Sequence, residues 1–284
     1  MRYVPMLAEP IVDGQLERLL ADDEWAVEQK MNGMRVVFVI KDSTAKAFNR
    51  RGEGFRQHIP REVYDELSDP NVFQDNQVWV FDGEILEDTY AVFDLLSTPN
   101  GDAMDLPLRL RRDMLQAIFE EWDPEHVVLV PHARDTRTKT ALLNAVERMG
   151  GEGVMFKHLD NAYEPGTRST AMLKHKLWAS ADVIVTGPHP EGKRSVQIAA
   201  FEGLELVGLG SVSVADRWLQ RLEVGDVIEV KYLYRGAQGH LYQSSLLRER
   251  RDKNPYECTL DQLKPVCKDM AEATIESNDD EGER

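Results

Sequence analysis

Hydrophobic and polar positions change rhythm along this chain. Residues 25–40 (WAVEQKMNGMRVVFVI) hold two apolar runs broken by a polar segment around Gly33, which predicts strand, turn, strand. Residues 78–86 (VWVFDGEIL) and 90–96 (YAVFDLL) form a second apolar pair around an acidic centre. Residues 107–121, behind Pro107, and residues 140–150, up to a Gly pair, place apolar side chains at helical spacing. GVMFKH (153–158) and MLKHKLW (172–178) predict short strands. These elements mix without regular strand–helix–strand alternation, so the expected class is α+β rather than a doubly wound sheet.

The texture changes after Ala181. DVIVTG, VQIAAFEG, LELVGLGSV and DVIEVKYLY are short β-rich runs separated by glycine turns, with one helical stretch at 215–222. About 90 residues of this kind suit a small five-stranded barrel of the OB type. The expected division is therefore 1–178, 179–268 and an acidic tail, 269–284, without an apolar pattern and expected to be disordered.

Composition narrows the function. Of 284 residues, 42% are hydrophobic and 30% charged, as in a soluble globular protein. No run approaches the roughly 18 apolar residues of a membrane helix. The opening MRYVPMLAEP lacks a cationic start followed by an apolar stretch, so a cytoplasmic location is expected. Cys258 and Cys267 form no CxxC pair and no disulfide framework. A net charge of −16 argues against a basic nucleic-acid footprint. Its distribution weakens that objection: the tail holds seven acids and one Arg, while 179–268 holds twelve acids and twelve bases. A local cationic groove stays open.

Taken singly, the candidate residues are ordinary. Lys30, followed by Asn32, Gly33 and Arg35, reads as a solvated lysine at a turn, with Arg50 and Arg51 further on. Neighbouring cations and partial burial favour a neutral, nucleophilic amine. Asp82, Glu84 and Glu152 read as strand-end carboxylates, yet together they offer oxygens suited to Mg²⁺. Lys174 and Lys176 alternate on one strand face, as an edge guard or as a phosphate clamp. Phe93 and the tryptophans Trp79 and Trp178 read as packing. The seven histidines show no metal-ligand spacing and read as structural or surface residues.

In order along the chain, Lys30-Met31-Asn32-Gly33-Met34-Arg35, Asn49-Arg50-Arg51-Gly52, Phe81-Asp82-Gly83-Glu84, Val92-Phe93-Asp94-Leu95-Leu96, Glu152 to Lys157, Leu173-Lys174-His175-Lys176 and Arg250-Arg251-Asp252-Lys253 resemble seven motifs of the ATP-dependent DNA ligases. These enzymes belong to the covalent nucleotidyltransferases, with RNA ligases and capping enzymes. The resemblance covers roughly residues 5–265 and departs at Asn32, where Asp is commoner. The barrel-like segment lies between the last two motifs, as in a minimal two-domain ligase without a helical DNA-binding domain.

The resemblance implies a fold, a nucleotidyltransferase (adenylation) domain followed by an OB barrel, and a reaction. Lys30 would attack the α-phosphorus of ATP to form lysyl–AMP. AMP would pass to the 5′-phosphate of a nick, and the 3′-hydroxyl would then seal the strand. It also implies roles: Phe93 stacking on adenine, the backbone at Glu28–Lys30 reading the base edge, Arg35 and Glu84 on the ribose, and Arg50 on phosphate. Glu152, with Glu84, would bind Mg²⁺ or Mn²⁺, and Lys174 and Lys176 would neutralise the α-phosphate. Arg250, Asp252 and Lys253 would reach the pyrophosphate when the barrel closes about a hinge near 178–182. The implied partner is nicked double-stranded DNA, with a clamp or a DNA end-binding protein as helper, for a monomeric enzyme of replication, repair or recombination in a bacterial or phage-infected cell. The alternatives are an RNA ligase, which commonly lacks the barrel and its last motif, a GTP-dependent capping nucleotidyltransferase, and a non-catalytic OB-type nucleic-acid binder.

Overall fold

The computed structural model describes residues 3–74 and 76–267; the acidic tail lies outside the described residues. The chain falls into two compact units, one from the described residues within 1–144 together with 153–175, the other from 145–152 together with 176–267.

In chain order the elements up to residue 176 are β1 (Leu7–Pro10), α1 (Leu16–Ala21), β2 (Trp25–Gln29), β3 (Met34–Lys41), β4 (Thr44–Asn49), α2 (Arg61–Leu67), β5 (Val78–Ile85), β6 (Tyr90–Thr98), β7 (Gly101–Asp102), α3 (Leu108–Trp122), β8 (Val127–Leu129), β9 (His132–Ala133), α4 (Thr136–Arg148), β10 (Gly153–His158) and β11 (Arg168–Lys176). They build two mixed sheets. One has the order β1-β11-β10-β2-β9; the other runs β4-β3-β5-β6-β7, with β8 added in parallel to β6.

The apolar runs at 78–86 and 90–96 pair as antiparallel β5 and β6. The two runs of 25–40 do not form a hairpin: β2 joins the first sheet and β3 the second. Gly33 makes this crossing compact. A Cβ there would strike the Ile85 carbonyl, so the chain passes against β5 at a distance no side chain allows.

On β3 the side chains alternate between two cores. Val36, Phe38 and Ile40 pack with Phe73, Phe81 and Leu115. Val37 faces the other way, with Val80, Leu96, Met172 and Tyr163, and so joins the two sheets. Each such side chain, fully buried, contributes about 1.5–3 kcal/mol. On α3, Arg111 and Arg112 are buried. Arg111 grips Asp94 of β6 with Nε–Oδ1 at 2.7 Å and Nη2–Oδ2 at 3.0 Å, which docks the helix on the sheet.

The second unit contains β12 (Ala179–Pro188), β13 (Ser195–Glu202), β14 (Glu205–Ser213), α5 (Asp216–Leu219), β15 (Val227–Tyr232), β16 (Tyr234–Arg235), β17 (Leu241–Tyr242) and β18 (Ser245–Glu249). Five strands close into a barrel in the order β12-β13-β14-β18-β15. Its interior holds Val183, Ile198, Leu209, Ile228 and Tyr232. The expected helix at 215–222 is shorter, spanning Asp216–Leu219 with Gln220 as its C-cap.

Candidate active site

A cavity of about 600 Å³ opens where the two sheets of the first unit meet. Among its lining residues are Glu28, Lys30, Arg35, Arg50, Glu84, Phe93 and Lys174, so seven residues singled out from the sequence surround one space. Arg51, Met155, Lys157, Arg168 and Met172 also line it.

Backbone pairing sets these positions. The Lys30 N–H donates to the Gly153 carbonyl at 2.9 Å, continuing the antiparallel ladder of β2 and β10. Lys174 lies opposite Pro10 on parallel β1, and its carbonyl accepts from the Ile11 N–H at 3.1 Å. Arg35 and Glu84 face each other across β3 and β5. The Glu84 carboxylate accepts the Gly33 N–H at 3.1 Å.

Arg35 is held firmly. Its Nε and Nη2 both bond Asp82 at 2.6 Å, a bidentate pair. The Tyr163 hydroxyl donates to the same carboxylate at 2.5 Å and accepts the Met6 N–H at 2.9 Å. Burial alone would favour a neutral guanidine, but Asp82 outweighs it and keeps Arg35 firmly charged. Asp82, a metal-ligand candidate from sequence, is thus fully buried and committed to Arg35 and Tyr163. The guanidinium lies 4.4 Å from the centre of the Phe93 ring, and the Lys157 ammonium lies 4.5 Å from it.

Behind Phe93 sits a buried charge cluster. Glu28 Oε2 is 2.5 Å from Lys157 Nζ, Oε1 is 2.9 Å from His132 Nδ1, and Arg112 is 3.6 Å away. Burial pushes the Glu28 carboxyl up, yet Lys157, Arg112 and His132 together hold it well below the usual carboxylate range. Burial likewise holds His132 below its ordinary value, in the neutral form. Arg112 and Lys157 also donate to the Phe93 carbonyl, at 3.2 and 3.4 Å. The cluster therefore fixes the backbone that presents the ring.

Besides Asp82, five predicted residues are not among those lining the cavity: Glu152, Lys176, Arg250, Asp252 and Lys253. Glu152 and Lys176 form an ion pair at 3.3 Å in the second unit, where Lys176 also donates to Gln243 at 3.0 Å. Arg250 and Lys253 lie in the barrel unit, both bonded to Asp182. Trp178 is not packed away: it is 40% exposed, with Lys231 at 4.4 Å and Lys176 at 5.5 Å from its ring. Among the described residues no group of three or more His, Cys, Asp or Glu is placed to hold a metal. Sequence reasoning missed the roles of Tyr163, Lys157, Arg112, His132 and Asp182. Lys157 stands within the motif segment Glu152 to Lys157, but nothing local marks the other four.

Known proteins resemble this chain in sequence and in fold. Residues 87–176 match the family model described as ATP dependent DNA ligase domain. A DNA ligase of Natronomonas pharaonis is 29% identical over 239 residues, covering 70% of this chain and 43% of that protein. The multifunctional non-homologous end joining protein LigD of Mycolicibacterium smegmatis is 25% identical over 244 residues, covering 78% and 31%. The chain spans less than half the length of these relatives. Among solved structures, mycobacterial DNA ligase D complexed with ATP and MES superposes with a TM-score of 0.53 at 20% identity, covering 90% of this chain and 98% of that one. A Lig E DNA ligase gives 0.59 at 17% identity, covering 87% and 99%. At such identities the structural likeness speaks to the fold: ligase nucleotidyltransferase domains with mixed sheets and few helices. The matching family model is that of an ATP-dependent DNA ligase domain and the named relatives are ligases, while the solved structures add the fold alone.

Proposed function

We propose that the chain seals nicks in duplex DNA using ATP. The observation that carries this reading is the convergence of Lys30, Arg35, Glu84, Phe93 and Lys174 on one cavity, within a chain whose residues 87–176 match the ligase family model. In the first step the Lys30 amine attacks the α-phosphorus. The N–P bond forms, the bond to the bridging oxygen breaks, pyrophosphate leaves with the electron pair, and the amine gives its proton to solvent. Adenine would lie against Phe93, with Arg35 and Glu84 at the ribose and Arg50 and Lys174 at phosphate. Lys176, Arg250 and Lys253 would complete the phosphate contacts from the second unit, with Asp252 holding Arg250 until the phosphate arrives, and the barrel would serve as the OB domain. Such transfers depend on positioning and charge neutralisation more than on covalent help from the protein.

Mg²⁺ suits the donor set present, a carboxylate plus substrate oxygens, and Mn²⁺ would fit the same donors. Glu84 would hold the ion, with Glu152 as second ligand once released from Lys176. The ion would neutralise charge on the phosphates. The proposed substrate is a nicked duplex, with a clamp or end-binding protein as helper, for a monomer in the cytoplasm. No helix among the described residues is long and apolar enough to cross a membrane.

Intact mass spectrometry tests the chemistry. Protein incubated with Mg²⁺ and ATP should gain the mass of AMP, and Lys30→Ala should not. A GMP-sized gain from GTP, or no gain in protein first shown to be free of AMP, would refute ATP-dependent ligation.

A further inference from the structure

Arg250 and Lys253 share one buried anchor, Asp182, which lies outside the seven motif segments. Asp182 lies on β12 and is 8% exposed. Its backbone is clamped: its N–H donates to Gln262 Oε1, and its carbonyl accepts from Gln262 Nε2, both at 2.9 Å. Its carboxylate accepts Arg250 Nη1 at 2.9 and 3.0 Å and Lys253 Nζ at 2.7 Å. Both cations touch the same oxygen, Oδ2, so the two nitrogens lie no more than about 6 Å apart. Two phosphoryl groups sharing a bridging oxygen fit that span.

The other edge of Arg250 is engaged differently. Nε and Nη2 bond Asp252 at 3.0 and 2.9 Å, and the Asp252 side chain is 70% exposed. Exposed ion pairs exchange readily with water and with competing anions, whereas a buried counter-ion does not. An incoming phosphate therefore displaces Asp252 and leaves Asp182 in place. The ammonium of Lys253 has three donors, of which Asp182 takes one.

We propose that Asp182 is a positioning residue that sets Arg250 and Lys253 as a matched pair for the leaving pyrophosphate. This rests on the ligase reading above. Pyrophosphate leaves only in the first step, so the effect must be confined to that step. It makes Asp182 a determinant of lysyl–AMP formation and not of strand sealing.

The test uses the full chain and two assays: single-turnover formation of lysyl–AMP from ATP, and sealing of a nicked duplex that already carries a 5′-adenylate. Asp182→Asn should slow the first at least tenfold and change the second less than twofold, and Asp182→Glu should restore part of the loss. Gln262→Leu, which unclamps Asp182 without touching either cation, should reproduce the selective loss more weakly. It serves also if Asp182→Asn melts early. Equal loss in both assays would mean a merely structural role and overturn the proposal. So would an unchanged or faster first step, the faster result marking Asp182 as a brake. A wild-type chain that forms no lysyl–AMP refutes the ligase chemistry and this inference with it. A wild-type adduct with unaltered variants refutes the role of Asp182 alone.

Discussion

Glu28→Gln exchanges a buried carboxylate for an amide of nearly equal size. It leaves the Lys157 ammonium, 2.5 Å away, and the Arg112 guanidinium, 3.6 Å away, without that counter-charge. Removing one partner of a buried pair costs about 3–5 kcal/mol, because the charge left behind is uncompensated. The amide oxygen can still accept a hydrogen bond, so the lower end applies, about 3 kcal/mol. For a unit of this size each kcal/mol lowers Tm by about 2–4 °C, so the first unit should melt about 6–12 °C earlier. Calorimetry resolves that transition. The double variant Glu28→Gln/Lys157→Met removes both charges, and it should be more stable than the sum of the single losses by at least about 1 kcal/mol. Strict additivity, or a single variant melting within 2 °C of the parent, would show that the pair does not carry the wall of the cavity.

Further outcomes follow from the same geometry. Tyr163→Phe removes a charge-assisted hydrogen bond to Asp82, worth about 1.5–3 kcal/mol, and should lower Tm by several degrees while slowing lysyl–AMP formation through a loosened Arg35. An unchanged adduct rate would separate Tyr163 from the site. Gly33→Ala drives a methyl group into the Ile85 carbonyl and should destabilise the first unit by at least about 1–3 kcal/mol, whereas Gly208→Ala, with open space around it, should leave Tm nearly unchanged. His132 is held neutral by burial, below an unfolded-state value of about 6.5. Below that pH the unfolded chain binds a proton that the folded chain does not, so stability should fall as pH drops from about 7.5 to 5.5. In His132→Gln melts the slope over that range should be flatter; an identical slope would exclude His132 as its source.

The elements most legible in the sequence were those whose pattern is local. The β5–β6 pair and α3 follow from apolar periodicity and from Pro107. Pairing partners were not legible. The break at Gly33 reads equally as a hairpin turn and as a crossing between sheets, and close packing against Ile85 decides for the crossing. The cavity residues could be read because each stands in a short motif. Glu28, Lys157 and His132 become a cluster only through the register of β9, β2 and β10, which no single segment encodes. Asp182 shows the same limit: its partners stand 68 and 71 positions away, and its own neighbours read as plain strand.

The barrel is closed unevenly. β12 runs against β15 from Ala179–Tyr232 to Ile184–Val227, but β14 meets β18 at one register position, Ser213 opposite Ser245. A ring of strands is breached first at its shortest ladder, since least must be broken there. Amides flanking that seam should exchange with deuterium well ahead of those between β12 and β15. Under tension or dilute denaturant the barrel should open there into a curled sheet with β14 and β18 as its edges. The Asp182 anchor sits on β12, in a six-pair ladder away from that seam, so the cation pair is built on a part of the ring that the first breach leaves closed.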